Sequence, residues 1–189
     1  MIFYVHGFNS CADRNRDKVQ ELARILGEEV TLLDYPSDVR AEDILGMLQA
    51  QVAEHAGKAP HFFIGSSLGA FWAERLAQIH GRPAALFNPC CKPVYFLRQF
   101  LGECEHFCTG KRWQFTESPL NSYAPLEAMR IDIPRQVFMA TDDEVLDPAL
   151  VKDHYAGVCD VVDFHGGHSV KSFRPFADKL VALRGAIRP

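Results

Sequence analysis

A chain of 189 residues, 48% of them hydrophobic, is long enough to bury one sizeable core and short for a doubly wound enzyme. A formal net charge of -4 and a pI near 6.0 provide no basic stripe for nucleic acid, and no run approaches the ~18 apolar residues of a membrane span. A soluble, cytoplasmic protein is expected: no basic start followed by an apolar stretch marks a leader, and Cys11, Cys90, Cys91, Cys104, Cys108 and Cys159 lack paired C-x-x-C spacing, which reads most simply as reduced thiols.

Strand and helix signals alternate along the chain. A strand over Ile2–Val5 leads into the turn His6-Gly7-Phe8-Asn9-Ser10. Then come a helix over about Arg14–Leu26, a strand Val30–Leu33, a helix over about Ala41–Ala56, a strand Phe62–Ile64 and a helix Leu68–His80. A strand Ala84–Phe87 precedes a stretch too long for an ordinary connection, about 90–132, rich in aromatic residues and with a short amphipathic helix expected over Val94–Leu101. The chain closes with a strand Val137–Ala140, a helix over about Ala149–Tyr155, a strand Val161–Phe164 and a helix over about Phe173–Leu183. This alternation predicts a three-layer α/β domain with a minimal, mainly parallel sheet of about six strands and helices on both faces.

Gly65-Ser66-Ser67-Leu68-Gly69 falls at the junction of the third strand and the following helix, the context a G-x-S-x-G nucleophile elbow requires. Such a turn strains the serine backbone and leaves no room for side chains two residues away on either side, so Gly65 and Gly69 fill those places. The motif is common by chance, and its partners must follow in the order serine, acid, histidine. Asp143, at the carboxyl end of the strand Val137–Ala140, is the acid chosen, with Asp142, Glu144 and Asp147 competing for the role. His168 ends the loop His165-Gly166-Gly167-His168 and is preferred as base over His165, which continues directly from its strand. An ordinary imidazole, titrating near pH ~6.5, can take a serine proton near neutrality. The backbone N–H groups of Phe8 and Leu68 are the expected oxyanion donors, Gly7 allowing the first to come close, while His6 orients its loop.

With His6-Gly7-Phe8-Asn9-Ser10, Tyr35-Pro36-Ser37-Asp38, Gly65-Ser66-Ser67-Leu68-Gly69, Asn88-Pro89, Asp143-Glu144-Val145-Leu146-Asp147 and Gly166-Gly167-His168, the chain resembles the YqiA-like esterases, small bacterial α/β-hydrolases, over nearly its whole length. The resemblance implies a three-layer α/β-hydrolase fold and a serine esterase or thioesterase with nucleophile, acid and base on Ser67, Asp143 and His168. Two positions depart from the family pattern: Asp142 stands where a glycine usually precedes the acid, and the loop before His168 is one residue shorter and lacks an asparagine.

The expectation is therefore one α/β-hydrolase domain over residues 1–189, cleaving short- to medium-chain acyl esters or thioesters through an acyl-enzyme. Residues 90–132 would act as a lid, with Phe100 and Trp113 in the substrate pocket. An acyl-CoA thioesterase would use the same triad and would need cations such as Lys92, Arg98, Lys111 and Arg112. A non-catalytic binding scaffold on the same fold is the alternative from another class. No G-x-G-x-x-G or G-K-[ST] loop follows a strand, so no cofactor is expected. Cys104-Glu105-His106-Phe107-Cys108, with Cys90 and Cys91 upstream, offers zinc-type ligands at irregular spacing, and no metal is assigned to it. A homodimer is left open as the quaternary state.

Overall fold

The computed structural model describes residues 1–55, 61–129 and 131–186. The elements run β1 (Ile2–Val5), α1 (Arg16–Leu26), β2 (Val30–Leu33), α2 (Ala41–Ala53), β3 (Phe62–Ser66), α3 (Leu68–His80) and β4 (Ala84–Phe87). They continue through α4 (Pro93–Phe96), β5 (Gly102–Glu105), β6 (Arg112–Phe115), α5 (Glu117–Asn121) and α6 (Ala124–Glu127) to β7 (Arg135–Ala140), α7 (Pro148–Tyr155), β8 (Val161–Phe164) and α8 (Ala177–Gly185). The final residue of the helix expected over Ala41–Ala56 lies outside the described residues.

Six strands pair in parallel in the order β2-β1-β3-β4-β7-β8, the minimal sheet expected. The strands β1, β3 and β4 are buried along their whole length, because helices cover both faces of a parallel sheet and leave no side for polar residues. Side chains alternate across that sheet. Phe3, Val5, Phe63, Leu86, Val137 and Met139 join the core shared with α2 and α3, while Ile2, Tyr4, Phe62, Ile64, Phe87 and Phe138 join the one shared with α1 and α8. From β1 the chain moves outward to β2 and then returns to the other side as β3, so the strand order reverses between β1 and β3. In open α/β sheets a crevice opens at the carboxyl ends of the strands at such a point.

The stretch between β4 and β7 is more structured than its sequence suggests. Its expected helix is a single turn, α4, followed by a 3-10 turn over Leu97–Phe100. An antiparallel hairpin, β5 with β6, was not foreseen; its first strand, Gly-Glu-Cys-Glu, is poor in strand-forming residues.

The expectation of six reduced thiols is corrected: Cys11 and Cys108 are joined in a disulfide across a sequence separation of 97. Local spacing carries no trace of this pairing, because folding of the insertion alone brings the hairpin turn to the loop after β1. The bond removes the argument for a reducing compartment that rested on six free cysteines, and it withdraws Cys108 from any zinc set. Burial pushes the Cys91 thiol up to about 12 and that of Cys159 to about 11, so both stay protonated near neutrality. Among the described residues no helix is long and apolar enough to cross a membrane.

Closing a loop of this length is worth about 4–5 kcal/mol in the chain-entropy account of disulfides. Cys11→Ser is expected to lose about 2–5 kcal/mol of stability, read as a lower urea midpoint. Equal midpoints for the wild type with and without dithiothreitol would show that the bond contributes nothing.

Candidate active site

Ser67 occupies the single-residue junction between β3 and α3, at φ 59 and ψ -127, a conformation non-glycine residues rarely adopt. Such strain costs about 1–3 kcal/mol and persists only where neighbours over-determine it. Here the Ser67 N–H donates to the Phe87 carbonyl at 2.9 Å, and its own carbonyl accepts from the amides of Ala70 at 3.0 Å and Cys90 at 3.1 Å. The two glycines are required by close approach. A Cβ on Gly65 would stand 2.1 Å from the Gly69 carbonyl oxygen, and one on Gly69 would stand 2.1 Å from that of Val5 and 2.3 Å from that of His6.

The structure brings Ser67, His168 and Asp143 together. His168 Nε2 lies 3.0 Å from Ser67 Oγ, and its Nδ1 lies 2.8 Å from Asp143 Oδ2 and 3.1 Å from Oδ1. The Asp143 side chain is fully buried and also accepts the amides of Val145 and Leu146, each at 2.8 Å. A carboxylate at Nδ1 selects the tautomer protonated there, leaving Nε2 to receive the serine proton. This arrangement can therefore generate a nucleophilic serine.

The competing residues occupy other positions. Asp142 Oδ1 accepts the amides of Gly166 at 2.9 Å and Gly167 at 3.1 Å, and Glu144 Oε2 accepts the amide of His168 at 2.9 Å. Asp147 caps α7 through the Ala149 amide at 2.9 Å. His165 is exposed, 3.3 Å from Asp142. Asn88 is a residue that the sequence reading left without a role. Fully buried at φ 42, it donates to the carbonyls of Gly167 at 3.1 Å and His168 at 2.8 Å and accepts the Ala140 amide at 2.8 Å. Its place at the end of a buried strand, followed by proline, was the available signal.

The turn after β1 lies against the serine: a Cβ on Gly7 would be 3.2 Å from Ser67 Cβ and 3.6 Å from its Oγ. Phe8 follows, and Leu68 opens α3, where the first N–H groups have no intrahelical acceptor. His6 is buried and stacked on Tyr35 at 4.6 Å between ring centres, with Nε2 2.6 Å from Asp34 Oδ1, so it holds the loop as expected. Asn9 reaches from this loop to the hairpin, donating to the Glu105 carbonyl at 2.6 Å and accepting from Trp113 Nε1 at 3.1 Å.

A cavity of about 910 Å³ opens at Ser67 and His168. Phe100 lines it, together with Phe96, Leu97 and Leu101. Trp113, expected in the pocket, is not among the lining residues; it packs behind Phe8 at 5.9 Å between ring centres. None of Lys92, Arg98, Lys111 and Arg112 lines the cavity; Arg98 pairs with Glu117 at 3.1 Å, and Arg112 with the lining residue Glu103 at 3.2 Å. Arg14 and Lys18 are the basic residues that line the cavity.

This sheet order, with a serine raised on the turn after β3, defines an α/β-hydrolase fold. Solved structures share it at low identity: Est1E from Butyrivibrio proteoclasticus superposes with a TM-score of 0.70 at 13% identity, over 97% of this chain and 86% of that one. A monoacylglycerol lipase from Paleococcus ferrophilus does so with a TM-score of 0.68 at 16% identity, over 96% and 92%. Within that class, the chain belongs to the Uncharacterised protein family (UPF0227), whose sequence profile matches residues 1–185. A UPF0227 protein of Shewanella oneidensis is 32% identical over 95 residues, 49% of this chain and 52% of that protein, so the match spans about half of the relative's length. A UPF0227 protein of Pasteurella multocida is 28% identical over 179 residues, 87% of this chain and 90% of the relative.

The Gly166 and Gly167 amides hold the Asp142 pKa below its ordinary 3.8. A carboxylate with a lowered pKa contributes its clamp above the ordinary value and loses it as pH falls through the lowered one. The amide proton shifts of Gly166 and Gly167 should therefore titrate together by NMR, with a midpoint below 3.8. A midpoint at or above that value would remove Asp142 from this role.

Proposed function

We propose that the protein is a serine hydrolase that cleaves short- to medium-chain acyl esters or thioesters through an acyl-enzyme. The observation that carries this reading is one imidazole, His168, within hydrogen-bond distance of Ser67 Oγ on one side and of buried Asp143 on the other. Ser67 Oγ attacks the acyl carbonyl while His168 Nε2 takes its proton, and Asp143 stabilises the resulting imidazolium. The amides of Phe8 and Leu68 hold the negative oxygen of the tetrahedral intermediate, each donor in such sites being worth about 3–4 kcal/mol. His168 then gives the proton to the leaving group, and water, activated by the same base, releases the acid. The insertion forms the apolar wall against which the acyl chain would lie.

The same three residues would serve a thioester. None of Lys92, Arg98, Lys111 and Arg112 lines the cavity, which weighs against the insertion as a binding patch for nucleotide phosphates beside Ser67. A non-catalytic scaffold on the same fold is the alternative from another class, and activity decides between them. The wild type should hydrolyse 4-nitrophenyl butyrate and be labelled by a fluorophosphonate, and Ser67→Ala should lose labelling and about 10⁴-fold or more of kcat. Equal rates and labelling in both proteins would favour the scaffold.

Phe100 lines the cavity from the insertion, so its truncation would enlarge the apolar side of that cavity. Phe100→Ala should raise kcat/KM for 4-nitrophenyl octanoate relative to the butyrate. An unchanged ratio with a lowered melting temperature would assign Phe100 to the core alone.

A further inference from the structure

The cavity at Ser67 is chemically divided. Its apolar lining, including Phe96, Leu97, Phe100 and Leu146, packs with the core on the α3 face of the sheet. Tyr4 belongs to the core on the opposite face, and the same cavity is also lined by polar and basic residues, Arg14 and Asn15 from the 3-10 turn before α1 and Lys18 from its first turn. An ester seated at Ser67 therefore has an apolar half and a polar half.

We infer that the polar half is an anion subsite, in which Lys18 and Arg14, with the Tyr4 hydroxyl, hold a carboxylate or phosphate carried by the ester that Ser67 cleaves. This deepens the serine-hydrolase reading and rests on it. Among the described residues no carboxylate lies within 4.0 Å of the Lys18 ammonium or the Arg14 guanidinium. Among the described residues Arg14 meets the Phe107 carbonyl, at 3.4 Å, and the Phe107 ring, at 5.6 Å. Lys18 is half-buried. Burial and the neighbouring Arg14 both lower its pKa, as they do for an ammonium lacking a counter-charge. Tyr4 is fully buried, and among the described residues its hydroxyl, beside Ser66, meets no group in hydrogen-bond geometry. Burial raises the phenol's pKa, so it keeps its proton and can donate.

Of the acids that line the cavity, two are occupied and the third is exposed. Glu103 pairs with Arg112 at 3.2 Å, Glu144 accepts the His168 amide at 2.9 Å, and Glu105 is exposed beside Gly110. Two adjacent cations and an unused phenol donor form a site that a bound oxyanion would satisfy and a neutral substrate would leave unpaired.

Matched ester pairs test this. One pair places the charge in the acyl half, 4-nitrophenyl monoadipate against 4-nitrophenyl hexanoate; the other places a terminal phosphate in the alcohol half of hexyl butyrate against the unmodified ester. The wild type should prefer the anionic member of at least one pair. Lys18→Met should cut that anionic-to-neutral kcat/KM ratio about tenfold, with Arg14→Met acting in the same direction. Taking the ratio within each protein cancels changes common to both substrates. A neutral preference in both pairs, or ratios unmoved by both substitutions, would overturn the subsite. Calorimetry with hexyl phosphate on Ser67→Ala reads binding without turnover. Binding that weakens about tenfold on adding Lys18→Met supports the subsite even if no ester is cleaved, and absence of binding refutes it even if neutral esters are cleaved.

Discussion

The close approach of the start of α3 to the carboxyl ends of β1 and β3 governs the site. Gly69 lies against the Val5 and His6 carbonyls, and Gly65 against the Gly69 backbone, at separations no Cβ could share. This contact leaves one residue to turn the chain from strand to helix, and that residue takes a strained backbone. The strain is sustained because α3 is buried along almost its whole length, from Leu68 to Gln78, and cannot move away to relieve it. The same approach sets the turn after β1 against Ser67, so the serine and the expected oxyanion loop are positioned by one packing event.

The histidine enters this edge on a loop containing two consecutive glycines, a segment with large conformational entropy to lose. Three polar clamps define it. Asp142 and Glu144 hold its amides from one side, Asn88 holds its carbonyls from behind, and Asp143 meets the imidazole itself. The cluster of acids after β7 is thus a division of labour, in which three carboxylates bind the loop at different depths and the fourth starts α7. It also explains the two departures from the family pattern. Asp142 exchanges the freedom of a glycine for a carboxylate that binds backbone, and the shortened loop still brings Nε2 to 3.0 Å from the serine.

Much of this was legible in the sequence because it is local. Buried runs such as Phe62–Ile64, ended by a glycine-bracketed serine, announce strand, turn and helix together, and the histidine loop has its own glycines. Asp143 could be ranked above its neighbours only by position, since four acids within six residues look alike until the distance to His168 separates them. The hairpin's first strand, Gly-Glu-Cys-Glu, has no strand signature, while the alternation in Arg112-Trp113-Gln114-Phe115 is too short to stand out without a partner, and the disulfide spans 97 positions with no spacing rule to reveal it. Trp113 was misplaced for a related reason. An aromatic residue in a long loop looks the same whether it faces a ligand or, as here, buttresses Phe8 and binds Asn9. Arg14, just before α1, and Lys18, in its first turn, look like ordinary solvated cations in the sequence, and only the fold brings them to the cavity that Ser67 lines.

What fixes the insertion determines whether it acts as a wall or a gate. At its far end Arg75, buried on α3, donates to the carbonyls of Leu126 and Met129 at 2.7 and 2.8 Å, and pairs with Glu74 at 2.8 Å. Glu74 in turn binds Arg135, at the start of β7, at 2.7 Å and the Tyr155 hydroxyl at 3.1 Å. A buried ion cluster of this kind contributes little net stability against an apolar substitute, but it leaves few alternative arrangements for the groups it binds. Near its start, the Val94 amide donates to Glu127 at 2.6 Å, closing α4 onto α6. The hairpin between them is held by Asn9 and by the Cys11–Cys108 bond to the loop that carries Phe8. Secured at both ends and across its middle, the insertion cannot swing as a unit without breaking a buried charge network or a covalent bond. It is therefore built as a wall beside the cavity, whose width there is set by side chains such as Phe100.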